Sequence, residues 1–175
     1  QVLEVALAPC RAILEPDTLV LSIAAGKTLA TLEGLFGADR PIVRAMPNTP
    51  AAVGRGMSVL CANAATPPGR RGEAEALLAA VGETAWVDDE QLLHAVTALS
   101  GGGPAYVFLL IEALAAAGAR LGLPAELAMR LARTTVIGSG ELARLSAAPA
   151  AALRADVTSP CGTTQAALAV LMAAD

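Results

Sequence analysis

Apolar positions come in short bursts between polar turns in the first half of the chain, and in long helical stripes in the second. "TLVLSIA" (18–24) is a short, largely apolar run of the kind that a strand buried on both faces shows. "PIVRAM" (41–46), "MSVLCA" (57–62) and "TAWVDD" (84–89) are further strand candidates. Between them, "TLATLEGLFG" (28–37) starts from a candidate cap at Thr28 and stops at Gly37, and "RRGEAEALLAAVG" (70–82) has helical spacing and a glycine stop. Residues 1–14 carry Val2, Leu3, Val5, Ala6, Leu7, Ile13 and Leu14 at the spacing of an amphipathic helix, with Pro9 as a flaw in it. Strands alternating with helices of this length predict βαβ units and a mostly parallel sheet over residues 1–87.

The pattern changes at Asp88. Asp88 and Gln91 have the spacing of a capping box, and Leu92, Leu93, Val96 and Leu99 then recur at helical intervals. Strand signals stop there. Helices are predicted over 89–99, 104–121, 124–145, 150–156 and 162–173, divided by "SGGGP", "GLP", "SAAP" and "TSPCG". The chain thus reads as α/β plus all-α, with an all-helical domain over 88–175. The helix from Pro104 to Leu121 is apolar on nearly every face, which is the pattern of a helix buried all round. A domain of under a hundred residues hides only ~60% of its unfolded surface. A second subunit is therefore expected to cover part of this helix, giving an obligate dimer through the helical half.

Composition narrows the partners. Of 175 residues 55% are apolar, enough for a sizeable core. A formal net charge of −4 and only four aromatic side chains, Phe36, Trp86, Tyr106 and Phe108, supply neither the basic footprint nor the stacking face of a nucleic-acid binder. The longest apolar run, 105–119, is interrupted by Glu112 and is shorter than the ~20 residues of a membrane span, so no membrane partner is expected. Cys10, Cys61 and Cys161 are odd in number and widely spaced, which suggests neither a disulfide framework nor a metal cluster and fits a reducing cytoplasm. His94 is the only histidine, so no zinc site can be assembled, and a Ser-His-Asp triad would need it without any supporting motif. It lies off the Leu92, Leu93, Val96 face and four residues after Glu90, the place of a solvated helix pair. "QVLEVALAPC" has no basic targeting region and no initiating methionine, so the chain is expected to start partway into a longer protein.

Small residues mark the stretches where chemistry can sit. "SGGGPAY" (100–106) and "TSPCGTT" (158–164) both lead into a predicted helix N-terminus. Pro104 suits the first helical turn, where its missing N–H costs nothing, and Gly101, Gly102 and Gly103 have no side chains to block a ligand. Thr163 and Thr164 offer hydroxyls and free N–H groups at the positive end of a helix dipole, which suits a small carboxylate. Taken alone, each loop is equally what a helix cap and a tight turn require. "SIAAGK" (22–27) and "MPNTPAAVGRG" (46–56) follow predicted strands, where open α/β sheets bind ligands, and are also compatible with ordinary turns. "GGGPAY" lies between helices and lacks the third glycine of a dinucleotide fingerprint. The residues by themselves lead to a small-molecule protein with an uncharged anion cup.

Together, "VRAMPNTPAAVGRG", "AVTALSGGGPAYVFLLIEALAAAG" and "DVTSPCGTTQAAL" closely resemble the motifs of the pyrroline-5-carboxylate reductase family, in that family's order and at about its spacing. The resemblance covers essentially the whole chain. It implies a Rossmann-like sheet domain, here its C-terminal part over 1–87, followed by a helical domain that intertwines with a twofold mate, often in a decamer of five dimers. It implies reduction of 1-pyrroline-5-carboxylate to L-proline, the last step of proline biosynthesis, with NADPH or NADH as cofactor. By match, Ser100, Gly101, Gly102, Gly103 and Pro104 resemble the substrate-side loop. Ser159, Gly162, Thr163 and Thr164 resemble the loop holding the carboxylate and ring nitrogen, with Thr164 assigned to the nitrogen. Ala24, Ala25, Gly26, Met46, Pro47 and Asn48 resemble the stretches beside the nicotinamide.

Three departures accompany the match. The family's first strand, glycine-rich phosphate loop and next βαβ segment have no counterpart here, so the chain is expected to begin just after the fourth strand. Cys161 stands where the family usually has glycine, and Gly102 where it usually has serine. No histidine or basic residue flanks Cys161 to activate it, leaving only a helix N-terminus, so it reads as a tolerated substitution and not a nucleophile. Two other readings share the architecture: a dehydrogenase of another cyclic imine or a 2-hydroxy acid, and a dimeric remnant without catalysis.

Overall fold

A computed structural model of the chain describes residues 13–173 together with Leu7 and Pro9. The helix expected over 1–14 lies largely outside the described residues. The chain divides into two compact units, Gln1–Tyr106 and Val107–Asp175.

The first unit holds a four-stranded sheet in sequence order: β1 (Val20–Ser22), β2 (Ile42–Met46), β3 (Gly56–Ala62) and β4 (Gly82–Trp86). Helix α1 (Leu29–Phe36) follows β1, and α2 (Pro68–Ala79) joins β3 to β4. Thr28 caps α1 as expected, its hydroxyl accepting from the Thr31 N–H at 3.1 Å, and Gly37 ends it at φ 100°. The sheet is mixed and not uniformly parallel: β1/β2 and β3/β4 are parallel, but β2/β3 are antiparallel. A parallel crossover needs a dozen or more residues, usually a helix. Residues 47–55 hold only a 3₁₀ turn (Thr49–Val53), so β3 must fold straight back along β2.

Both faces of the sheet are covered, which is why its strands read as continuous apolar runs. Val43, Ala45 and Leu60 pack under Ala74 and Leu78, two α2 residues one turn apart. Ile42 packs with Leu32 and Phe36 of α1. Helix α3 (Leu92–Val96) belongs to this unit because Leu93 is fully buried with Val59 and Cys61 of β3. The expected Asp88–Gln91 capping box does not form: the Gln91 N–H donates instead to Asp89 Oδ1 at 2.9 Å. After α3 the helix widens into a π-turn over Thr97–Gly101, closed by a 2.8 Å bond from the Gly102 N–H to the Thr97 carbonyl.

Helix α4 (Gly103–Arg120) carries the chain into the second unit, which adds α5 (Ala125–Leu145), α6 (Ala150–Asp156) and α7 (Thr163–Met172). The α4–α5 contact uses small residues: a Cβ on Gly118 would lie 3.1 Å from Ala128 Cβ. Among the described residues of α4 only Ala115 is buried, while Val107, Phe108, Leu109, Leu110 and Leu114 are exposed on the single protomer. That exposed apolar surface marks an interaction site. The helical stretch Leu92–Arg120 is also longer than the run 105–119 suggested, and by length and composition alone could cross a membrane.

Candidate functional site

Parallel pairing of β1 and β2, with Ser22 opposite Arg44, sends the segments after both strands out of one edge of the sheet. Ala24, Ala25 and Gly26 leave β1 in a turn secured by the Ala24 N–H on Ser22 Oγ at 3.3 Å, with Gly26 at φ 74°. Met46 ends β2, and Pro47 and Asn48 follow it. These six expected residues therefore share the carboxyl edge of the parallel pair, where such sheets take ligands.

The next helix N-terminus is already occupied. Glu90 Oε1 accepts from the Leu29 N–H, the first of α1, at 2.7 Å, and from Arg44 Nη1 at 2.7 Å. The Arg44 and Glu90 side chains are 5% and 19% exposed. A carboxylate at that N-terminus satisfies the helix dipole from inside the protein, which leaves this end of α1 unsuited to a phosphate. Glu90 is thus not the partner of His94 expected from their spacing; His94 is exposed, and Glu90 turns into the fold. Sequence spacing could signal only the local pair, and Arg44 is far away in the chain.

Residues 100–104 join the same unit. Asn48 Nδ2 donates to Ser100 Oγ at 3.1 Å, while Asn48 Oδ1 accepts from the Met57 N–H at 2.9 Å. Met46 lies against the loop, since a Cβ on Gly101 would sit 2.7 Å from Met46 Cε. Gly103 and Pro104 open α4 as expected. At Gly102 a Cβ would lie 2.8 Å from the Tyr106 hydroxyl, which donates to the Ala98 carbonyl at 3.1 Å. The phenol thus occupies the space that a side chain at position 102 would need.

Ser159, Gly162, Thr163 and Thr164 fall in the second unit, at the entry to α7. The Gly162 N–H is bound to the Ser159 carbonyl at 3.1 Å. The N–H groups and hydroxyls of Thr163 and Thr164 have no partner among the described residues, and both side chains are exposed. That is a set of unspent donors at the positive end of a ten-residue helix, without a charged side chain among them. Gln165, which the sequence did not single out, braces this turn by accepting the Cys161 N–H on Oε1 at 2.7 Å.

Cys161 takes φ 58°, the one non-glycine residue with positive φ among those described. This conformation costs an ordinary residue about 1–2 kcal/mol and glycine almost nothing, partly offset by glycine's greater unfolded-state entropy. Cys161→Gly is therefore expected to raise the free energy of unfolding by about 0.5–1 kcal/mol while keeping activity. Chemical denaturation with a parallel rate assay checks both, and lost activity would show that the thiol has a role. Cys61 is no better a nucleophile: burial pushes its thiol pKa up, and the Glu90 carboxylate adds to the shift. No group of three or more metal-binding side chains occurs among the described residues.

Known proteins match both halves of this arrangement. Residues 90–175 match the family described as pyrroline-5-carboxylate reductase dimerisation. The chain is 50% identical over 163 residues to the pyrroline-5-carboxylate reductase of Pseudomonas aeruginosa, covering 93% of this chain and 59% of that protein. Among solved structures, the Coxiella burnetii pyrroline-5-carboxylate reductase superposes with a TM-score of 0.90 at 40% identity, over 97% of this chain and 63% of that one. The Plasmodium falciparum pyrroline carboxylate reductase, solved with NADP bound, superposes at 0.82 with 32% identity, over 97% and 66% of the two chains. The chain thus spans about three-fifths of the length of these relatives.

Proposed function

The chain belongs to the pyrroline-5-carboxylate reductase family, and we propose that it carries the substrate site and the nicotinamide end of the cofactor site of such an enzyme. The reaction is reduction of 1-pyrroline-5-carboxylate to L-proline in the cytoplasm. NADPH or NADH, when bound, supplies the hydride that adds to the imine carbon. The carbon–nitrogen π pair then moves onto the ring nitrogen, which keeps its proton as the amine.

A protonated imine is already electrophilic, so the protein needs no strong general acid at the reacting carbon. It must hold the ring in place, and positioning two reactants can account for ~7–11 kcal/mol of a barrier. What most directly supports this reading is the set of unpaired donors at Thr163 and Thr164. The Thr163 and Thr164 N–H groups bind the carboxylate, Ser159 and Gly162 shape the turn beneath it, and the Thr164 hydroxyl orients the ring nitrogen. The small Ala24, Ala25 and Gly26 at the sheet edge leave room for a nicotinamide next to Met46 and Pro47. The Glu90 carboxylate on α1 fits that end of the cofactor and not its phosphates.

Residues 1–87 serve the cofactor and 88–175 serve substrate and assembly. The exposed apolar face of α4, inside the matched dimerisation region, supports a homodimer over a membrane span. In the intact protein, NADPH oxidation should depend on 1-pyrroline-5-carboxylate, and Thr164→Ala should lower kcat/KM by about 10- to 100-fold, as for one hydrogen bond to a charged group. Absence of turnover by the wild type would sink the reductase reading. An unaffected Thr164→Ala would remove only the role given to that hydroxyl.

A further inference from the structure

We propose that the Tyr106 phenol is a latch on the π-turn over Thr97–Gly101, and that Gly102 is without a side chain so that the phenol can reach it. The latch belongs wholly to the sheet unit and stands whatever the chain binds.

One N–H chooses between two carbonyls. In a regular helix the Gly102 N–H would bond the carbonyl four residues back, that of Ala98. Here it bonds the carbonyl five back, that of Thr97, at 2.8 Å. The Ala98 carbonyl thereby loses the donor that a regular helix would give it. The Tyr106 hydroxyl takes that place, donating to the Ala98 oxygen at 3.1 Å. π-turns are rare against the α-helix, so a segment that keeps one needs something to hold it. By occupying the acceptor to which Gly102 would return, the phenol makes the α-helical register less favourable and the π register more so.

Glycine at 102 is a matter of space and not of backbone freedom. Its φ of −81° and ψ of −22° are open to any residue. A Cβ there, however, would stand 2.8 Å from the Tyr106 hydroxyl and 3.3 Å from the ring carbon Cζ. Tyr106 is 62% exposed, so packing within its own chain does little to keep the ring in that place. The bond to Ala98 does.

What the latch holds is the course of the loop. Thr97 Oγ1 anchors one end on the Leu93 carbonyl at 2.6 Å, and Leu93 is fully buried. Within the turn, Ser100 Oγ receives Asn48 Nδ2 at 3.1 Å, and Gly101 lies against Met46. Returning Gly102 to Ala98 would shift one side of the turn by one residue against the other, about 100° of helix rotation. The π register is therefore what places Ser100 and Gly101 against the segment that follows β2.

Hydrogen exchange of the intact protein, read peptide by peptide, tests the latch. Tyr106→Phe removes the donor and little else, and amides within 97–103 are expected to exchange about threefold to tenfold faster, the scale of one neutral hydrogen bond. Gly102→Ala keeps the hydroxyl but displaces it from Ala98, and should accelerate the same amides to a similar extent. Since both remove one contact, the double variant should exchange no faster than the faster single one. The amides of β2 and β3 should be unchanged in all three. Unaltered exchange over 97–103 in Tyr106→Phe would overturn the proposal, and so would multiplied rates in the double variant. Acceleration spread over β2 and β3 would also overturn it, because the phenol would then support the unit at large. If Gly102→Ala does not fold, Tyr106→Phe decides alone.

Discussion

Glu90→Ala is expected to lower the free energy of unfolding by about 3–5 kcal/mol, the cost of leaving a buried charge without its partner. Arg44 lies on a central strand with its side chain 5% exposed, and Glu90 Oε1 receives its Nη1 at 2.7 Å. The same oxygen takes the first N–H of α1. Removing it strands a guanidinium and an amide together. Glu90→Gln keeps an acceptor for Leu29 and should lie between the two. The pair itself need not stabilise the fold, because burying two charges costs about what their attraction returns. Arg44→Met with Glu90→Leu is accordingly expected to recover most of the loss. Denaturant unfolding at fixed protomer concentration checks the series, since subunit association would otherwise shift the midpoint. A Glu90→Ala protein of wild-type stability would mean that the Arg44 guanidinium reaches water.

The second large effect is on assembly. Leu109→Arg is expected to weaken the proposed homodimer at least about a hundredfold, since it would place an unpaired charge in the apolar contact proposed for α4. Leu109 is 63% exposed on the single protomer, within an α4 stripe that also exposes Phe108, Leu110 and Leu114. Leu109 itself is mostly uncovered by its own chain and belongs to the second unit, so the mutation should leave the sheet unit intact while shifting the protein towards monomer. Sedimentation velocity at micromolar concentration reads this directly. A Leu109→Arg protein that remains fully dimeric would place the subunit contact elsewhere on the helical unit.

Much of the fold was legible because its signals are local. The helix expected over 70–82 runs instead from Pro68 to Ala79, with Gly82 opening β4 and not stopping the helix, whereas the Thr28 cap and the Gly37 stop act within one turn and bound α1 as expected. The same holds for the five helices after Asp88, apart from the widening at Thr97. The candidate site was legible in its motifs but not in its connections. Small residues and threonines flagged the loops, whereas Gln165 could not be recognised as a brace before Cys161 was seen at positive φ. Glu90 was misplaced for a related reason. Helical spacing pairs it with His94, and only the packed sheet offers Arg44 and the end of α1 instead.

By itself the sequence determined which segments become helices and strands, the change from sheet to helices, the family, and the helix too apolar to stand alone. Those properties depend on neighbours a few residues apart, whose contacts form with little loss of chain entropy. The tertiary structure alone decided that β3 runs against β2, that α3 packs onto the sheet, that Glu90 neutralises Arg44, and that Asn48 fixes Ser100. Each of these joins groups far apart in the chain. They meet only after burial of Val59, Cys61 and Leu93 has fixed where the strands and helices lie, so no local pattern could announce them.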